Sequence, residues 1–151
     1  MMKRTIAHEN LRFHTNKGNT MDITTAAQLL VSSTLADGGA SMDPKTGQLA
    51  TESVTLVGGA TDITGNRVQE TSIPVDDFTL EFAASYIRRH AVLSKDAYIG
   101  TWIENGRVIL DASDAFTSLS LALFIAQERG ERAVYTIGVG ETAVAPVVAT
   151  F

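Results

Sequence analysis

The sequence predicts an α+β fold, a single domain in which a mostly antiparallel sheet built of hairpins carries about three helices. Three observations predict it. Asn105-Gly106 sits between two alternating apolar stretches, the composition of a two-residue hairpin turn. Three other stretches space their apolar residues three and four apart, as one face of a helix requires. The chain has 151 residues and no cysteine, and a domain of that length buries roughly 68–70% of its unfolded surface without a disulfide.

Residues 1–20 are polar and charged and read as an N-terminal arm or extension, with short strands around Thr5-Ile6-Ala7 and Leu11-Arg12-Phe13. The domain proper spans 21–151. Its first helix follows Met21, with Ile23, Ala26, Ala27, Leu30, Val31 and Leu35 on one face and Gly38-Gly39 as a left-handed stop. Asp43-Pro44-Lys45-Thr46-Gly47 then makes a hairpin turn, in which Pro44 fixes φ at the first corner and Gly47 takes positive φ. Ser53 to Val57 alternates as a strand and breaks at Gly58-Gly59, and a looser strand follows over Arg67 to Ile73.

Beyond Pro74, Asp76 or Asp77 is placed to cap a second helix carrying Phe78, Phe82, Ala83, Tyr86 and Ile87, which ends near Ala91. The hairpin of Tyr98 to Ile103 with Arg107 to Asp111 comes next, and its type I′ turn sets Ile103 against Val108 and Trp102 against Ile109. Ser113 or Asp114 is placed to cap a third helix with Phe116, Leu119, Ala122, Leu123 and Ala126, stopped by Gly130. Leu121, Phe124 and Ile125 fall on its other side, so this helix is expected to be buried on two sides, by the sheet and by another element or subunit. Arg132 to Ile137 reads as a strand, Gly138-Val139-Gly140 as a turn, and Thr142 to Phe151 as a last strand that Pro146 confines to an edge or bulge.

Charge and hydropathy narrow the function classes. Seventeen acidic and twelve basic residues give a net charge of −5 with no basic block, which argues against duplex nucleic acid as a partner. The longest apolar run, Leu119 to Ala126, is interrupted by Ser120 and falls far short of the ~20 residues a membrane span needs. Lys3-Arg4 is not followed by the apolar stretch of an export signal. The expectation is a soluble cytoplasmic protein without a membrane partner.

Candidate chemistry is sparse. Asp111-Ala112-Ser113-Asp114 places two carboxylates and a hydroxyl at a strand end, where Asp111 and Asp114 are the candidates for a cation or an acid/base pair. The favoured account is that Ser113 and Asp114 cap the helix while Asp111 closes the hairpin. Arg88-Arg89-His90 sits where the helix dipole favours cations, and it becomes an anion or nucleotide pocket if Tyr86, Tyr98 or Trp102 stacks nearby. Lys45 stands on an exposed turn, where surface lysines are usually only solvated, and is a candidate phosphate contact. The candidate ligand-binding residues are therefore Lys45, Arg88, Arg89, His90, Tyr98 and Trp102. His8, His14 and His90 are too scattered for a zinc site, Gly138-Val139-Gly140 lacks the strand-turn-helix context of a dinucleotide loop, and no catalytic signature or cofactor motif is present.

The stretches Gly39-Ala40-Ser41-Met42-Asp43-Pro44-Lys45-Thr46-Gly47-Gln48 and Tyr98 through Ser113 resemble an uncharacterised family of small proteins carried by bacterial phages and related mobile elements. The likeness continues through Ala122, Gln127, Glu128, Ala133-Val134-Tyr135 and Gly140-Glu141, covering about residues 38–142. This chain departs from the pattern at Thr136, where relatives carry an acidic residue. The resemblance implies origin and assigns no catalytic residue. Combined with small size and acidic charge, it gives the expected function: a phage-encoded accessory protein in the host cytoplasm that inhibits antiviral defence by binding a host protein or sequestering a nucleotide signal. A virion or assembly component is the alternative, and a small hydrolase or transferase using Asp111, Asp114 or His90 the second. A homodimer through the third helix or a final edge strand is compatible with each.

Overall fold

Asn105 and Gly106 both adopt positive φ, 52° and 74°, and the turn they form fixes the register of the two longest strands. Strand β7 (Tyr98–Glu104) pairs with β8 (Arg107–Phe116) through Ile103↔Val108 and Trp102↔Ile109, as the turn type requires, and continues to Tyr98↔Ser113. The computed structural model describes residues 12–14, 20–94 and 96–145. The expected strand at Thr5-Ile6-Ala7 and the chain beyond Ala145, including Pro146, lie outside the described residues.

The remaining elements assemble around β8. A two-stranded ribbon, β1 (Arg12–His14) with β2 (Thr20–Asp22), precedes helix α1 (Ile23–Asp37). Asp22 caps α1 by accepting from the Thr24 amide, and Gly38 closes it at φ 83°. The hairpin of β3 (Gly39–Asp43) and β4 (Gln48–Leu49) follows, with Gly47 at φ 71°. Strands β5 (Thr55–Gly58) and β6 (Thr71–Pro74) come next, then a 3-10 turn (Val75–Asp77), helix α2 (Leu80–Leu93), the β7–β8 hairpin, helix α3 (Leu119–Arg129), and β9 (Ala133–Thr136) with β10 (Gly140–Ala143). The larger sheet runs β10-β9-β5-β8-β7-β3-β4 and every pairing is antiparallel. This is the α+β architecture that the sequence predicts.

Strand β8 is shared in an unusual way. Along one edge it pairs with β7. Along the other, residues 107–110 pair with β6 and residues 113–116 with β5, so Asp111 and Ala112 fall in the gap between two different neighbours. The loop 59–70 fills that gap: the Ala60 amide donates to Ala112 O at 3.2 Å and the Val68 amide to Ala60 O at 2.9 Å. Asp62 holds the loop tip by accepting from the Thr64 and Asn66 amides, which keeps its carboxyl below the ordinary range, the Thr64 hydroxyl being the largest cause.

Strand alternation divides the side chains of β8 between two faces. Val108 and Leu110 enter the main core with Ile23, Leu30, Met42, Phe78, Ala83, Tyr86, Ile87 and Ile99 beneath α1 and α2. A smaller cluster of Val57, Ala122, Ala126 and Val134 seats α3 on the same face, since Val57 lies opposite Asp114 in the ladder. Asp111 and Ser113 point the other way.

Two helix starts differ from the sequence expectation. Thr79, rather than Asp76 or Asp77, caps α2 by accepting from the Phe82 amide. The two aspartates occupy the 3-10 turn, which is needed to bring Phe78 into the core at 3% exposure before the helix begins. Ser118 caps α3, and neither Ser113 nor Asp114 does, because β8 must continue to Phe116 to complete its ladder with β5. The looser strand expected from Arg67 shrinks to Thr71–Pro74, with Arg67 in an isolated bridge to Thr61. Helix α3 buries only Ala122 and Ala126. Leu119, Leu121 and Phe124 are exposed, Phe124 at 57%, so no second element covers that side among the described residues.

Candidate functional site: a carboxyl chamber beside strand β8

Asp111 is the feature that ordinary sheet packing does not explain. Its side chain is 9% exposed in the middle of the sheet, where an ionised carboxylate is expensive unless it is paired or hydrogen-bonded. Among the described residues Oδ1 accepts only a long contact from Ser113 Oγ at 3.5 Å, and Oδ2 accepts none. Burial, reinforced by the charges of Glu131 and Glu70, raises its pKa to about 7; the Ser113 hydrogen bond and the Arg67 charge pull the other way.

Space for the group is made by glycine on both neighbouring strands. A β-carbon at Gly100, directly across the ladder in β7, would lie 2.6 Å from Asp111 Oδ1. One at Gly58 in β5 would lie 2.7 Å from Oδ2 and 2.8 Å from Glu131 Oε1. The two carboxylates thus converge above Gly58. Glycine weakens a strand interior, and here the absent side chains are what admit the carboxyl.

The carboxyl forms one wall of a chamber of about 310 Å³, completed by Gly59, Arg67, Val68, Gln69, Glu70 and Glu131. Arg67 lines it, and Arg129 lies behind it. Arg129, in the last turn of α3, donates to Asp114 Oδ2 at 2.6 Å and to the carbonyls of Gly58 at 3.0 Å and Val57 at 3.3 Å. Arg67 donates to the Arg129 carbonyl at 2.9 Å and pairs with Glu131. Asp114 is therefore committed to holding α3 on β5, while Asp111 is held by nothing comparable. Among the described residues no group of three histidines or acids is arranged to hold a metal ion.

A second pocket, of about 250 Å³, shares Arg67, Val68 and Gln69 with the first and reaches Asp62, Thr71, Tyr86, Arg89, His90, Leu93 and Ser94. His90 is 5% exposed; taking Nε2 as the protonated nitrogen, it donates to Ala97 O at 2.6 Å and leaves Nδ1 buried without a partner. Burial lowers the pKa of this imidazole, against the opposing effect of its hydrogen bond to Ala97. Arg89 lies 5.8 Å from the centroid of the Tyr86 ring, which is itself stacked on Phe82.

Of the residues singled out from sequence, Arg89 and His90 come together in this second pocket and Asp111 forms a wall of the first. Arg88 is exposed on α2 and lines neither, and Lys45 stands on the β3–β4 turn. Tyr98 is buried with its hydroxyl donating to Glu52 at 2.5 Å, and burial together with that partner pushes its pKa up. Trp102 Nε1 donates to Glu104. Neither of these aromatics lines the pocket of Arg89. Arg67, Glu70, Glu131 and the two glycines were not legible as site residues, because they join Asp111 only through the fold. One signal was available: the Asn-Gly turn sets Gly100 opposite Asp111. No family model, no curated protein and no solved structure matches the chain.

Proposed function

We propose that this protein is an accessory binding protein of phage type that works by occupation in the host cytoplasm, and that the chamber over Asp111 is where it grips its ligand or a side chain of its partner. The observation that carries this reading is a carboxyl nine-tenths buried, almost free of hydrogen bonds, given its room by two strand glycines and facing a chamber. A buried acceptor of this kind costs stability and is compensated when a donor arrives from outside. Inhibition of a host defence factor is the biological role that fits the phage resemblance over residues 38–142.

The second pocket favours a second reading. Arg67 and Arg89 both line it, and Arg89 has no carboxylate partner among the described residues, so the phosphate of a nucleotide signal would find two guanidinium groups there. Native mass spectrometry of protein purified from bacterial cells tests the two together. A retained small molecule or host protein that is lost from Asp111→Asn supports the chamber. An adduct lost from Arg89→Ala and kept by Asp111→Asn moves the function to the second pocket, and a bare protein that captures nothing from lysate counts against occupation as its mode of action.

A further inference from the structure

We propose that the group received by the Asp111 chamber is an organic cation, an alkylammonium, which seats between Asp111, Glu70 and Glu131. This rests on the reading that the chamber is the ligand seat, and names the chemistry of what fills it. Three carboxylates face the space and one guanidinium answers them, that of Arg67, already paired with Glu131 and bonded to the Arg129 carbonyl. The chamber is thus rich in acceptors and short of donors. Asp111 brings a second and independent indication, because it is nine-tenths buried and its Oδ2 receives no hydrogen bond among the described residues. An ammonium offers three donors, enough to satisfy Asp111 and reach Glu70 or Glu131 at once. A phosphate or carboxylate ligand would meet like charge at the same place.

Charge also gives the site a pH signature. The charged and hydrogen-bonding groups acting on Asp111 are Glu70 and Arg67 from loop 59–70, Glu131 after α3 and Ser113 on its own strand; its charge also reaches Tyr86 of α2 in the core behind the sheet, whose pKa it helps to raise. An arriving cation favours the ionised carboxylate. Binding therefore releases a proton when it occurs below neutral pH and strengthens as pH rises through about 7.

Calorimetric titration of the full chain with 1,4-diaminobutane, Nα-acetyl-lysine amide and guanosine, at pH 6 and pH 8, tests the assignment. The expected result is one saturable site for the amines, about tenfold tighter at pH 8 than at pH 6, and weakened at least about tenfold by Asp111→Asn. Glu70→Gln, at an exposed loop position, is expected to weaken binding several-fold with an unchanged melting temperature, which separates recognition from folding. Diamine binding tenfold tighter than the capped lysine identifies a free amine as the source, and equal affinities identify a lysine side chain of a protein partner. Amine affinity unchanged in Asp111→Asn, or absent at pH 8, overturns the proposal. If guanosine alone binds, and does so through Asp111, the cation assignment fails while the ligand seat stands; if no probe binds and native mass spectra are also bare, both fail.

Discussion

The two ends of strand β8 obey opposite rules. From Arg107 to Leu110 it lies between β7 and β6, with Val108 and Leu110 fully buried beneath α1 and α2 in the largest core cluster. From Asp111 onward it loses β6, passes the gap at Asp111 and Ala112 and gains β5 at Ser113; here a carboxyl is buried on the side away from the core, glycines replace side chains on both neighbours, and the fully buried positions of α3 are two alanines. One end is packed for stability and the other is kept open at a cost in stability. Departures from good packing concentrate where a protein handles something else, and here they converge on one residue.

Breaking the packed end should have the largest effect. Leu110→Ala removes a fully buried side chain and is expected to cost about 2–5 kcal/mol, read as a lower urea midpoint. A loss near zero would mean that this end is no better packed than the other.

At the open end the sign should invert. The folded pKa of Asp111, about 7, lies above its unfolded value of 3.8, so the native state holds the proton more tightly than the unfolded chain. Well below pH 4 the group is neutral in both states and costs nothing extra; as pH rises through 3.8 toward 7 its contribution turns unfavourable. Asp111→Asn should therefore stabilise the protein at pH 8 by about 2–4 kcal/mol. His90 works in the other direction. Its folded pKa is depressed below 6.5, so its contribution to stability is present above the unfolded value and is lost as pH falls. With Asp111 replaced, stability should rise with pH up to about 6.5 and then level. Chemical denaturation of both proteins from pH 4 to pH 8 checks the two slopes, and parallel curves would show that Asp111 is not the group responsible.

Filling the cradle should have a smaller effect. Gly100→Ala brings a β-carbon to 2.6 Å from Asp111 Oδ1 and is expected to cost about 1–3 kcal/mol. Placed in the Asp111→Ala background the same change should cost much less, and a double-mutant cycle measures that coupling. Additive effects would mean that the clash is with backbone instead.

The smallest effect belongs to the outer face of α3. Phe124→Ser is expected to change monomer stability by no more than about 0.5 kcal/mol, because the residue is 57% exposed and belongs to neither core cluster. A core-sized loss that grows with protein concentration would instead place a second copy of the chain on this face.

Much of this was legible in local sequence. Asn105-Gly106 sets the register of the central hairpin, including the pairing of Gly100 with Asp111, because a two-residue turn leaves the strands no other alignment. Gly38 and Gly130 end helices where left-handed φ is required, and the spacing of Ile23, Ala26, Ala27 and Leu30 selects the buried side of α1. These are short-range effects, decided within one turn of backbone. Tertiary structure alone decided the rest. Whether Asp114 caps a helix or continues a strand depends on β5, fifty-seven positions earlier in the chain, and its partner Arg129 is supplied by the last turn of a helix fifteen positions later. Asp111 becomes a buried, nearly bond-free carboxyl only because β5 and β6 leave its edge from opposite sides, loop 59–70 closes over the gap, and Glu131 and Arg67 arrive from remote segments. Desolvation and charge act through space, and a sequence records neighbours only along the chain.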